Sequence, residues 1–176
     1  MRIITFQADV LPLKNILFRL ALRITQNRAD AEDVVQETMM KVWNRRGEWQ
    51  QIENMEAFCL TVCRNISLDK LRRMDRQVLS LEDTPMEADG YDPIDHSHSA
   101  NPEQQAVQRD RLQQVRRIIS QLPEKQRTCM QLRDFEGYSY REIAEVLDIT
   151  EDQVKVNIFR ARQTIRTTLE TNEQNH

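Results

Sequence analysis

The sequence predicts an all-α fold made of two small helical domains joined by a flexible acidic linker, and three observations lead there. Only three Gly and five Pro occur among 176 residues, with 6% aromatic and 30% charged side chains, which favours helices over sheets. Apolar residues recur at helical spacing, and no segment alternates convincingly as a strand. Near the middle, residues 77–101 contain Pro85, Gly90 and Pro93, many acids and no sustained period, which reads as a linker. The expected division is a first domain over residues 1–76, the linker over 77–102 and a second domain over 103–172.

The first domain is read as helices over residues 13–25, 30–46 and 55–73. In the second of these, acids occupy the first turns and Lys41, Arg45 and Arg46 the end, as the helix dipole prefers. Its apolar stripe is Ala31, Val34, Val35 and Val42, with Thr38 in line. Asp33, Gln36, Glu37 and Met40 project to the other side, with Trp43 at the edge. A Met among carboxylates on an outer face suits a surface that receives another helix, although carboxylates on a solvated face read the same way.

The third helix buries Phe58, Cys59, Val62 and Ile66 and ends in Lys70, Arg72 and Arg73. The loop before it, residues 47–54, offers Trp49, Gln50, Gln51 and Asn54: an aromatic for stacking and amides for base edges, the means of single-strand recognition. A polar surface loop with one packed Trp fits those residues equally, and spacing alone does not choose.

After the linker, helices are expected over residues 103–121 and 124–135, followed by two short-linked helices. Ser139 followed by Glu142, and Thr150 followed by Gln153, are two capping boxes. Between the helices stand Asp148 and Ile149, and Asp is among the few non-Gly residues that tolerate the left-handed backbone. That is a helix-turn-helix, a motif that lays one helix against DNA. In the last helix Val154, Ile158, Ala161, Ile165 and Leu169 form one buried stripe, while Lys155, Val156, Phe159 and Arg160 project outward. Apolar side chains among bases suit a major groove, where they meet thymine methyls while Lys and Arg take phosphates or guanine edges. Packing of Phe159 on a neighbouring helix is the alternative.

The net charge of −3 is unevenly spread. Residues 1–78 hold 13 basic and 10 acidic side chains, residues 79–110 hold 1 and 8, and residues 111–176 hold 11 and 10. The acidity thus belongs to the linker, and the flanking parts are mildly basic. Fully extended, the linker would reach ~80 Å at about 3.3 Å per residue, so the domains could occupy DNA sites about two helical turns, ~70 Å, apart. Cys59, Cys63 and Cys129 fit buried thiols in a reducing compartment. His96 and His98 lie in the linker without metal spacing, so no metal and no cofactor is expected. No run is long and apolar enough to span a bilayer, and the first residues lack the pattern of a signal peptide, so the expected location is the cytoplasm.

These motifs in this order resemble the RNA polymerase sigma factors of the extracytoplasmic-function (ECF) type, within the sigma-70 family. DAEDVVQETMMKVW and EAFCLTVCRNISLDKLRR are similar to sigma region 2, and LPEKQRTCMQLRDFEGYSYREIAEVLDITEDQVKVNIFRARQTIR to sigma region 4. The resemblance implies a non-enzymatic specificity subunit with no catalytic residues, monomeric when free, which binds core polymerase at the β′ clamp helices and β flap, recognises promoter DNA and is held by an anti-sigma factor. Asp33, Gln36, Glu37 and Met40 would dock on the clamp helices. Trp49, Gln50, Gln51, Asn54, Arg64, Asn65, Arg72 and Arg73 would serve the −10 element and its opening, by capture of a flipped base. Lys155, Val156, Phe159, Arg160 and Arg162 would serve the −35 element. Asp148 stands where the family commonly has Gly, and Val156 where it often has a small polar residue. A stand-alone helix-turn-helix regulator is the other reading; it would need a ligand or dimer domain in residues 1–76, and the acidic outer face of the second helix argues against it.

Overall fold

The computed structural model describes residues 2–78 and 101–175, all helix and connecting turns. The linker expectation therefore falls mostly outside the described residues, as do His96 and His98. The helices are α1 (Lys14–Thr25), α2 (Arg28–Asn44), α3 (Met55–Val78), α4 (Pro102–Gln121), α5 (Glu124–Met130), α6 (Tyr140–Leu147) and α7 (Glu151–Gln174).

Two features precede α1 that periodicity did not predict, a π turn over Phe6–Val10 and a 3-10 turn over Leu11–Leu13. Thr5 caps the first of them by accepting from the Ala8 amide at 3.2 Å, and Val10 is carried into the core. Helix α1 stops at Gln26, whose φ of 56° is left-handed and whose N–H closes on the Leu22 carbonyl. Helix α2 starts two residues earlier than expected, because Asn27 is its cap and accepts from the Asp30 amide at 2.9 Å.

Leu17, Leu20, Ala21 and Ile24 of α1 meet Ala31, Val34 and Val42 of α2 and Cys59, Leu60 and Cys63 of α3 in the core of the first half. Polar side chains inside it are satisfied locally: Thr38 donates to the Val34 carbonyl and Ser67 to the Cys63 carbonyl, each one turn back. In the second half Ile119, Leu122 and Met130 close against Ala161 of α7.

The two helical halves pack against each other through a continuous apolar cluster. Cys129, Leu132, Tyr138, Ile143, Val146, Val154 and Ile158 belong to the same apolar cluster as α1, α2 and α3, with α6 packed on α3 and α5 on α1. Helix α5 passes into a π turn over Gln131–Phe135, and Gly137 at φ 78° then turns the chain so that the Tyr138 amide reaches the Leu132 carbonyl.

Cys59, Cys63 and Cys129 are free and buried. Burial pushes each thiol up to about 12 from 9.0, so the native protein should resist thiol reagents near neutral pH while the urea-unfolded chain reacts. The folded value lies above the unfolded one, so this contribution to stability is complete below about pH 9 and falls as pH rises toward 12. A lower urea midpoint at pH 10 than at pH 7.5 would confirm it; equal midpoints would refute it.

Candidate polymerase and promoter surfaces

Helix α2 presents Asp33, Gln36, Glu37 and Met40 together on its exposed side while Val34, Val35, Thr38 and Val42 face inward. Met40 is 65% exposed. The face is ordered by ion pairs to α3 and within α2: Lys70 Nζ lies 3.1 Å from Asp33 and 3.9 Å from Asp30, and Lys41 lies 3.8 Å from Glu37. Trp43, at the edge of this face, is half-exposed, packs edge-on against Phe6 and Trp49, and carries the Arg46 guanidinium over its ring at 4.7 Å.

The loop before α3 is a 3-10 turn, Arg46–Gln51. Of the two readings open for Trp49, a stacking face and a packed ring, the structure has the packed ring, against the −10 role that the resemblance implied. It is 5% exposed and donates from Nε1 to the Val42 carbonyl at 3.0 Å, which gives its one polar atom a partner inside. Gln50 and Gln51 are exposed. Asn54 is partly buried and spends its side-chain oxygen on the Ala57 amide at 3.1 Å, capping α3. Asn65, Arg72 and Arg73 are exposed on α3, the latter two in its C-terminal half. Arg64 is not exposed: it is 8% accessible, and Nε and Nη2 donate to the two oxygens of Glu124 at 3.0 and 2.9 Å.

The helix-turn-helix forms as its caps require. Ser139 and Glu142 exchange hydrogen bonds at 3.1 and 2.8 Å, and Thr150 and Gln153 at 3.1 and 2.9 Å. Asp148 ends α6 at φ 54°, ψ 50°, and the next amide, Ile149, reaches back to the Ala144 carbonyl. Replacing Ser139 or Thr150 by Ala should cost about 1 kcal/mol each. Urea unfolding monitored by circular dichroism would read that loss, and an unchanged midpoint would deny the caps a role.

On α7 the buried residues are Val154, Ile158 and Ala161, with Ile165 and Leu169 partly buried in the same line. Lys155, Val156, Phe159 and Arg160 are exposed, Phe159 by 65% and Val156 by 44%. Phe159 therefore does not pack on a neighbouring helix. Lys155 lies over the Tyr140 ring at 5.4 Å, and Arg133 lies over the same ring at 4.4 Å, so one aromatic orients two cations from α7 and the π turn. No described residue forms an ion pair with Arg160. Arg162 is engaged otherwise: its guanidinium forms a two-pronged pair with Asp134, which tethers α7 to the π turn and raises the Arg162 pKa.

Sequence reading missed the groups that join the halves. Arg19 pairs with Glu136, Tyr138 Oη donates to Glu56 at 2.8 Å, and Arg64 pairs with Glu124. Each contact links residues at least sixty positions apart, and no local spacing announces it. Among the described residues no group of His, Cys, Asp or Glu is arranged to hold a metal ion, and no helix is long and apolar enough to cross a membrane.

Comparison with known proteins gives a consistent answer. The family model "Sigma-70 region 2" matches residues 10–77 and "Sigma-70, region 4" matches residues 112–165. The chain is 31% identical over 144 residues to the ECF RNA polymerase sigma-E factor of Haemophilus influenzae, covering 79% of this chain and 74% of that one. To the RNA polymerase sigma-H factor of Pseudomonas aeruginosa it is 28% identical over 161 residues, covering 91% and 83%. In fold it is similar to the sigma factor RpoE crystallised with the anti-sigma factor NepR from Bartonella quintana, with a TM-score of 0.76 at 23% identity over 94% of this chain and 96% of that one. With both sigma regions present in order on a helix-turn-helix scaffold, the chain belongs to the ECF sigma factors of bacterial RNA polymerase.

Proposed function

We propose that the protein docks on core RNA polymerase through the Asp33, Gln36, Glu37 and Met40 face of α2, reads the −35 element with Lys155, Val156, Phe159 and Arg160 of α7, and opens the −10 element with residues around α3. The observation that carries this reading is the solvent exposure of both faces in one chain, an acidic face with Met40 on α2 and a cationic face with Phe159 on α7. Acids on the first suit a basic protein surface, and Arg beside apolar side chains on the second suits base edges and thymine methyls.

For the −10 element the available groups are Gln50, Gln51, Asn65, Arg72 and Arg73, which are exposed; Arg64 joins them only once it leaves Glu124. Arg162 supports α7 through Asp134 and acts on DNA by holding the helix in place. The working division is residues 1–76 for docking and −10 recognition, 77–102 as linker, and 103–172 for −35 recognition. Transcription initiation requires no catalytic group of this chain, and its site of action is the cytoplasm, where polymerase is. An anti-sigma protein is the expected regulator, as with the sigma factor RpoE, which was crystallised with NepR.

The test is reconstitution: purified protein, sigma-free bacterial core enzyme and a promoter template, read by complex formation and run-off transcription. Initiation that depends on the added protein supports the reading. No binding to a matched core enzyme would overturn it in favour of a free-standing regulator.

A further inference from the structure

Three arginines meet where the end of α1, the last turns of α4 and the first turn of α5 come together. The Ser120 carbonyl of α4 accepts from Gln26 Nε2, just past α1, and from Arg127 Nη1 of α5, each at 2.8 Å. Arg23 lies one turn before Gln26 and Arg116 one turn before Ser120, so their helices carry both to the same place. The crowding shows in Arg23, which burial and then the like charges of Arg116 and Arg127 bring down to about 10.

Like charges that are partly buried repel more strongly than in water, so such a cluster ordinarily holds counter-ions. The neighbouring carboxylates are committed elsewhere. Both oxygens of Glu124 are taken by Arg64, and both oxygens of Glu136 by Arg19. Glu136 reaches the cluster only through Gln131, which donates to it at 3.2 Å. Among the described residues no carboxylate forms an ion pair with Arg23 or Arg127.

What the cluster offers is donors. Arg23 gives Nε to Gln131 Oε1 at 2.8 Å and sits over the Phe135 ring at 5.3 Å, which leaves its two terminal amino groups for a further acceptor. Arg127 Nε is buried and finds no acceptor among the described residues, a costly state for an N–H of a cation. None of the three arginines belongs to the α2 face or to the outer face of α7.

We propose that Arg23, Arg116 and Arg127 form a binding site for a phosphate-bearing ligand, with a pyrophosphate group as the class that fits. A guanidinium presents N–H donors in a planar fork that matches two phosphate oxygens. Three cations call for more than one negative charge, which a carboxylate or a chloride does not supply. The phosphate oxygens take the Arg127 Nε–H and the terminal amino groups of Arg23, and Arg116 contributes charge. The site stands apart from the docking and promoter roles, so its test does not depend on them.

The full chain is titrated with sodium pyrophosphate in a calorimeter and its melting is followed by circular dichroism, with sodium chloride at matched ionic strength as control. Saturable binding of one pyrophosphate per chain is expected, with a rise in Tm that chloride does not reproduce. Arg23→Gln removes one cation, and Arg127→Lys keeps the charge but loses the guanidinium Nε–H. Each should weaken binding by roughly 10- to 150-fold at wild-type helix content. Phosphate groups come free or on nucleic acid, and a short duplex without promoter sequence separates the two sources. Displacement of pyrophosphate by the duplex supports the site with the DNA backbone as its ligand, and retention supports it with a free phosphorylated small molecule. Absence of saturable binding, an equal rise in Tm with chloride, or wild-type affinity in both variants would overturn the site.

Discussion

Arg160→Ala should reduce initiation from a promoter with a matched −35 element by about 5- to 150-fold, the equivalent of ~1–3 kcal/mol for a bidentate contact to guanine. Arg160 lies on the exposed side of α7 next to Phe159, and no described residue holds it in an ion pair. Its loss should therefore leave folding within about 0.5 kcal/mol of wild type. The two ways in which an Arg can serve DNA separate experimentally. If it reads a base, the variant loses discrimination at one position of the −35 element and a base change there costs it nothing further. If it takes a phosphate, affinity falls evenly across sequences and the salt slope drops by about one. Phe159→Ala should weaken preference for a thymine-bearing position without changing the salt slope, because an apolar contact releases no counterions. Wild-type promoter strength in Arg160→Ala would remove α7's outer face from the −35 assignment.

The part of this molecule that was legible in sequence is the part governed by neighbours in the chain. The two capping boxes, the left-handed Asp148 and the stripe of Val154, Ile158 and Ala161 are all i to i+3 or i+4 relations, and each formed as read. The division of α2 into a buried line and an outer face with Met40 follows from the same period. Trp49 was not legible, because its fate depends on whether a backbone carbonyl, that of Val42, is available beneath it. Arg64 is the sharper case. The family resemblance places it on the −10 surface, and what buries it is a carboxylate sixty residues away that arrives only when α5 packs on the first half. Ion pairs across a tertiary seam carry no periodicity, so charge patterning cannot disclose them. The π turn over Gln131–Phe135 was read as plain helix for a related reason, since its residues are ordinary helix formers and the widened turn is set by the sharp bend at Gly137 and the closure of Tyr138 on Leu132.

Glu37→Lys should abolish assembly with core polymerase. The substitution replaces an anion at the centre of the α2 face by a cation, so it removes one favourable contact and places a like charge against the basic surface this face requires. Loss of a paired charge at a desolvated interface costs about 2–5 kcal/mol, a loss of affinity on the order of 30- to several-thousand-fold. The folded state is nearly indifferent. Glu37 is half-exposed, its pairing with Lys41 at 3.8 Å is a surface i,i+4 contact, and such contacts contribute a few tenths of a kcal/mol. Melting temperature and helix content should therefore match wild type, and the defect would be assigned to docking. Met40→Ala provides an independent reading of the same face, since a side chain 65% exposed contributes little to the fold but anchors a partner helix if one lands there. Weakened assembly in both variants, with binding of a −10 oligonucleotide unaltered, assigns α2 to the polymerase. Assembly by Glu37→Lys at wild-type affinity would mean that core enzyme lands elsewhere, and the acids of α2 would then be a solvated face held in register by Lys70 and Lys41.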